Sequence, residues 1–148
     1  MRRSLRTPLL ALLVALASCR PAAEVAAPAP ARHTGPLAAS IQVDAAPDSV
    51  RFVLQVINSS NAPVRLTFAS GMTHDFVVRD GGREVWRWSR DRSFVQSMVS
   101  ISLGAGETRS YDAVWRPAAA LRGRRLTVEG RLTSTNHPIG VSSPLALP

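Results

Sequence analysis

Eight consecutive residues, Val50-Arg51-Phe52-Val53-Leu54-Gln55-Val56-Ile57, place Val50, Phe52, Leu54 and Val56 at every second position. Side chains alternate across a strand with a period of two, so this spacing buries one face of a strand. Wound into a helix, the same residues would scatter around the axis. Their β-branched and aromatic character favours the extended form as well. The pattern then repeats along the chain. Val64-Arg65-Leu66-Thr67-Phe68 alternates cleanly after the turn cluster Asn58-Ser59-Ser60-Asn61-Ala62-Pro63.

Further strands are predicted at Ser40–Ala45, Phe76–Arg79, Glu84–Trp88, Phe94–Leu103, Glu107–Trp115, Arg125–Leu132 and Ile139–Leu145. Asp80-Gly81-Gly82 between the second and third of these is a hairpin signal. One helical turn at Ala118-Ala119-Ala120 is the only helical element expected. About seven to nine short strands with turns every 8–12 residues or so describe an all-β chain. The expected fold is an immunoglobulin-like antiparallel β-sandwich over residues 38–148. Trp86, Trp88 and Trp115 are its largest expected core pieces. Trp86 and Trp88 share a parity, so an exposed aromatic platform for a sugar or peptide is the competing reading of that pair.

The N-terminus is an address. Met1-Arg2-Arg3-Ser4-Leu5-Arg6 is basic, and Pro8–Leu16 is apolar. The run is too short to span a bilayer, which takes about 20 residues, and has the layout of a secretory signal peptide over residues 1–18. Leu16-Ala17-Ser18-Cys19 resembles a bacterial lipobox, in which the cysteine is acylated and becomes the new N-terminus. Cys19 is the single cysteine, so no disulfide within the chain competes for it. Residues 19–37 hold the lipidated cysteine and a Pro/Ala-rich spacer that includes His33. The expected location is the cell envelope, with the membrane reached through the lipid (the outer one if the organism has two).

All 18 basic residues counted as Lys plus Arg are arginines. Loss of residues 1–18 removes three of them and leaves 15 against 10 acidic residues, a balance of +5. The arginines are scattered, and an exported chain has little occasion to meet nucleic acid, so no nucleic-acid partner is expected.

No catalytic or metal-binding set is visible. His33, His74 and His137 show no metal-ligand spacing. No serine sits in a Gly-x-Ser-x-Gly elbow, and no Gly-rich phosphate loop occurs. Neither a metal nor a cofactor is expected, and an enzyme is not. Asp75 and Asp80 flank a strand and are read as turn-holding residues.

Residues Asn58 to Trp115 resemble the intracellular proteinase inhibitor BsuPI domain. The resemblance runs in order through Asn58, Leu66-Thr67-Phe68, Ser70-Gly71, Asp75-Phe76-Val77-Val78-Arg79-Asp80, Gly82 and Val85-Trp86-Arg87-Trp88-Ser89. It continues through Phe94, Gln96, Leu103, Gly106-Glu107-Thr108, Tyr111 and Trp115. The Asp-Phe-Val-Val…Val-Trp-Arg-Trp-Ser block is its most specific part.

What the resemblance implies is a binding domain that inhibits a proteinase, here on the membrane anchor that the lipobox reading supplies. Two loops would offer arginine to a trypsin-like serine protease: Ser89-Arg90-Asp91-Arg92-Ser93 and Leu121-Arg122-Gly123-Arg124-Arg125. The alternative is a non-inhibitory envelope lipoprotein that binds another envelope protein.

Overall fold

The computed structural model describes residues 31–148. The signal segment 1–18, the lipidation site Cys19 and the first part of the spacer, residues 20–30, lie outside the described residues.

Ten strands follow one another: β1 (Arg32–Thr34), β2 (Leu37–Ala46), β3 (Ser49–Asn58), β4 (Val64–Phe68), β5 (His74–Asp80), β6 (Arg83–Arg87), β7 (Val99–Leu103), β8 (Thr108–Trp115), β9 (Arg125–Leu132) and β10 (Ile139–Ala146). A single 3-10 turn at Ala119–Leu121 stands where the helical turn is expected. Every pairing is antiparallel. One sheet has the order β1-β2-β3-β8, the second β10-β9-β5-β6, and β4 pairs with β7 as a separate ribbon. The two four-stranded sheets pack face to face, β2 against β10 and β3 against β9. This is an antiparallel sandwich of the immunoglobulin-like class.

The alternation of β3 explains its central place. Val50, Phe52, Leu54 and Val56 all point inward and are fully buried. Phe52 lies opposite Val43 on β2 and Ala113 on β8. From the facing sheet Phe76 stacks on Phe52 with centroids 5.9 Å apart. Leu66, Phe68 and Leu103 of the ribbon join the same core. Each such side chain contributes about 1.5–3 kcal/mol on burial. Gly130 on β9 lets the sheets approach, because a Cβ there would stand 3.1 Å from Ile41 Cδ1 and 3.2 Å from a ring carbon of Phe76.

The structure departs from the expected elements in three places. There are ten strands, because β1 adds a three-residue strand that the pattern does not reveal. All three of its residues are exposed, so they carry no alternation. This strand lies inside the expected spacer 19–37, and Leu37, the last residue of that spacer, is fully buried at the start of β2. Finally, Phe94–Met98 is not part of a strand. β4 ends at Phe68, opposite Val99, so residues before Val99 have no ladder partner.

The hairpin at Asp80-Gly81-Gly82 forms as expected. Gly81 and Gly82 have φ of 55° and 91°, which the tight turn between β5 and β6 requires of both central residues.

Candidate binding site

β5 and β6 build the most elaborate polar arrangement of the molecule. Asp75 is 2% exposed, yet both of its carboxylate oxygens are used. Oδ1 accepts the backbone N–H of Phe76 at 2.9 Å and of Ser89 at 3.1 Å. Oδ2 accepts from Arg87 Nη1 at 2.7 Å and from Ser89 Oγ at 3.0 Å. Trp88 N–H donates to Phe76 O, so the ladder runs one residue past β6 before the Asp75 carboxylate takes over. A buried charge needs such a shell.

Arg87 then forks onto Glu84, and Arg90 adds a further bond to Glu84 at 2.8 Å. The Arg87 hydrogen bond is the main reason the Glu84 carboxyl is held below its ordinary range. Glu84 in turn raises Arg87.

The three tryptophans divide into two environments. Trp115 is buried at 5% exposure. Trp86 is partly buried against it, ring centroids 5.8 Å apart, and lies 5.8 Å from Phe52. Trp88 follows β6 and packs against His74 at 4.3 Å and Phe94 at 5.8 Å. The Arg92 guanidinium lies over the Trp88 ring, 4.4 Å from its centroid. Both half-buried indoles are therefore engaged with their own protein rather than forming one open platform.

His74 is also flanked by Tyr111 at 4.6 Å. Burial lowers its pKa from the ordinary 6.5 to about 4, against the opposing pull of Asp75. Burial likewise raises the Tyr111 hydroxyl. Among the described residues, His74 Nε2 and the Tyr111 hydroxyl have no hydrogen-bond partner. Thr73 Oγ1 lies 3.2 Å from His74 Nδ1. A neutral imidazole wedged between rings is a packing element.

The first expected arginine loop leaves this cluster. Arg90 is held by Glu84, and Arg92 by Trp88, to whose carbonyl its Nε also donates at 3.2 Å. Asp91 is exposed. Farther on, Gly71 N–H donates to Val95 O at 2.9 Å, and a Cβ at Gly71 would stand 2.8 Å from Val95 Cγ2. Gln96 Nε2 donates to Phe94 O at 3.0 Å. The loop is thus fixed at its start and near its middle. Its most exposed large apolar side chains are Val95 at 65% and Met98 at 81%. Sequence reasoning placed these two in a strand. Strict alternation begins only at Val99, in Val99-Ser100-Ile101-Ser102-Leu103, and that was the signal for where the strand starts.

The second arginine loop is elsewhere. Arg122 pairs with Asp48 at 3.0 Å and also donates to Pro47 O. Arg124 pairs with Asp80. Gly123, with φ of 71°, adopts a left-handed conformation that favours glycine. Arg125 is exposed at the start of β9. Asp75 holds the first loop and Asp80 holds Arg124. These two residues are five positions apart on β5, about 17 Å at the usual rise. The structure does not bring the two loops together.

Among the described residues, no group of three His, Cys, Asp or Glu side chains could hold a metal ion. No helix among them is long and apolar enough to cross a membrane. A shallow depression of about 120 Å³ on the outer face of the first sheet is lined by Ala38, Ser40, Gln55, Ile57 and Thr108. It is smaller than the roughly 300 Å³ at which ligand pockets begin.

Comparison with known proteins gives one family. The sequence model described as BsuPI, intracellular proteinase inhibitor, matches residues 37–137. No curated protein matches at a significant level. Among solved structures, the protein designated ApaA from Bordetella pertussis is 17% identical, with a TM-score of 0.43 over 81% of this chain and 97% of that one. The GAE domain of GGA2p from Saccharomyces cerevisiae is 14% identical, with a TM-score of 0.36 over 82% of this chain and 98% of that one. At those scores neither likeness bears on function.

Proposed function

The chain belongs to the BsuPI family of intracellular proteinase inhibitors, and we propose on that premise that it is a non-catalytic inhibitor of a serine protease, held at the cell envelope by a lipid on Cys19. The family match over residues 37–137 carries this reading. An inhibitory loop must enter an enzyme cleft without being cut, and rigidity set before binding is what yields tight affinity. The loop after β6 has that property without a disulfide, because Asp75, Trp88 and the Gly71–Val95 hydrogen bond hold it.

The family is named for intracellular inhibitors, whereas the signal segment and lipobox assign this member to the far side of the membrane. Its target is then an envelope or secreted protease. Titration of the full chain against a panel of serine proteases tests the proposal. Stoichiometric loss of activity with the domain left intact is expected. Full residual activity across the panel, or rapid cleavage of the domain, would move the weight to an envelope protein-binding role.

A further inference from the structure

We propose that Phe94–Met98, together with the free outer edge of β7, is the surface presented to the proteinase, and that the enzyme it fits has an apolar specificity pocket. The proposal rests on the inhibitor reading above. Four observations point the same way.

Val95 and Met98 are the two most exposed large apolar side chains among the described residues, and they lie three positions apart on one loop. The arginines of that loop are already engaged, Arg90 by Glu84 and Arg92 by Trp88. An acidic pocket would have to strip those contacts to gain a basic side chain. An apolar pocket takes Met98 or Val95 with no such loss.

The loop is held at three points. Ser89 is bound by Asp75, Val95 O accepts from Gly71, and Val99 pairs with Phe68. Lastly, among the described residues β7 pairs with β4 on one side only. Its other edge offers main-chain donors and acceptors, flanked by the small exposed side chains of Ser100 and Ser102. A chain that lies in a protease cleft does so as an added extended strand, and an open edge running on from the apolar loop fits that geometry. The second arginine loop has none of these features: Arg122 is bound to Asp48 in the β2–β3 turn and Arg124 to Asp80 at the other end of β5.

The test uses the full chain with one subtilisin-like and one trypsin-like enzyme as probes. Inhibition of the first and not the second is expected. Val95→Asp with Met98→Asp should weaken that inhibition by at least about 30-fold, the size of a central interface anchor. Both side chains are exposed, so the melting temperature should stay where it is. Arg122→Ala with Arg124→Ala should leave inhibition unchanged. Exclusive inhibition of the trypsin-like enzyme, or full potency in the Val95/Met98 variant, would overturn the surface while leaving the inhibitor reading in place. A wild-type chain that inhibits neither probe would overturn both.

Discussion

Asp75 shows how one residue can decide the course of a loop. Its carboxylate ends β6 by replacing a ladder acceptor with a charged one, and Arg87 neutralises it. Breaking a buried ion pair from one side leaves donors without partners and costs about 3–5 kcal/mol. Asp75→Ala should therefore lower stability by about 3 kcal/mol in urea denaturation, while Asp75→Asn, which keeps an acceptor oxygen, should lose less. Equal losses in the two variants would show that the charge, not the acceptor, matters. A structural role for Asp75 was legible in the sequence, but not the one expected: instead of holding the hairpin turn it lies within β5 and holds the loop after β6. Its partner Ser89 lies 14 residues on, and no local pattern reveals that contact. The same holds for the arginines: the loops read as exposed, but Arg122 meets Asp48 across 74 residues. His74 makes a second prediction at this scale. Its folded pKa of about 4 lies below the ordinary 6.5. As the pH falls through 6.5 the unfolded chain takes up a proton that the folded one refuses, so stability drops between about pH 6.5 and 4 and is fully present above that window. Water still reaches part of the ring, so the drop is smaller than a fully buried histidine would give. Melting temperatures measured at pH 7.5, 6 and 5 should fall less steeply for His74→Gln than for the wild type. Parallel slopes would contradict the assignment.

At the scale of elements, legibility followed burial. β3, β4 and β9 read clearly because each has one face in the core and one in water, which writes a period of two into the sequence. β1 has no buried residue, and its only guide is the turn at Gly35 and Pro36 that returns the chain to Leu37. Phe94–Met98 failed for the opposite reason, since apolar residues stand there without a sheet to cover them. Between those extremes, Asn58 holds two connections at once. Fully buried, its Nδ2 donates toward the carbonyls of Ala62, Leu103 and Gly104, and its Oδ1 accepts from Ser60. Its own backbone exchanges bonds with Gly106 and Glu107. That ties the β3–β4 turn to the β7–β8 turn, and fixes the far end of β7. The free edge of β4 is closed in a related way: Thr67 N–H donates to Asn136 Oδ1 and Thr67 O accepts from Thr135 N–H. Of the ribbon, β4 is covered and β7 is left open. The resemblance named Asn58, Thr67, Leu103, Gly106 and Glu107 in advance, but their joint effect on one edge appears only in three dimensions.

For the whole molecule, the proposed tether and the proposed binding surface have to share one small sandwich. The chain enters at β1, which pairs on the outside of β2 and lies beside β10. The β6–β7 loop leaves from the other side, since β10 and β6 are the two outer strands of their sheet. Three strand spacings separate them, about 14 Å. The described chain thus begins at β1 on one side of the sandwich, while β6, from which the loop carrying Val95 and Met98 departs, is the outer strand on the other side of the facing sheet. The anchor and the inhibition should then be separable. Cys19→Ser removes the thiol that the lipobox reading assigns to acylation, and the variant is expected to leave the detergent phase on phase separation and to take up no labelled fatty acid. Lipids with two or more chains hold a protein stably, so the change in partition should be nearly complete. The released chain should inhibit with the potency of the anchored one. Retention of the variant with the membrane, once residues 1–18 are shown to have been removed, would mean that another part of the chain binds there, and loss of potency on release would mean that the tether orients the loop as well as holding it.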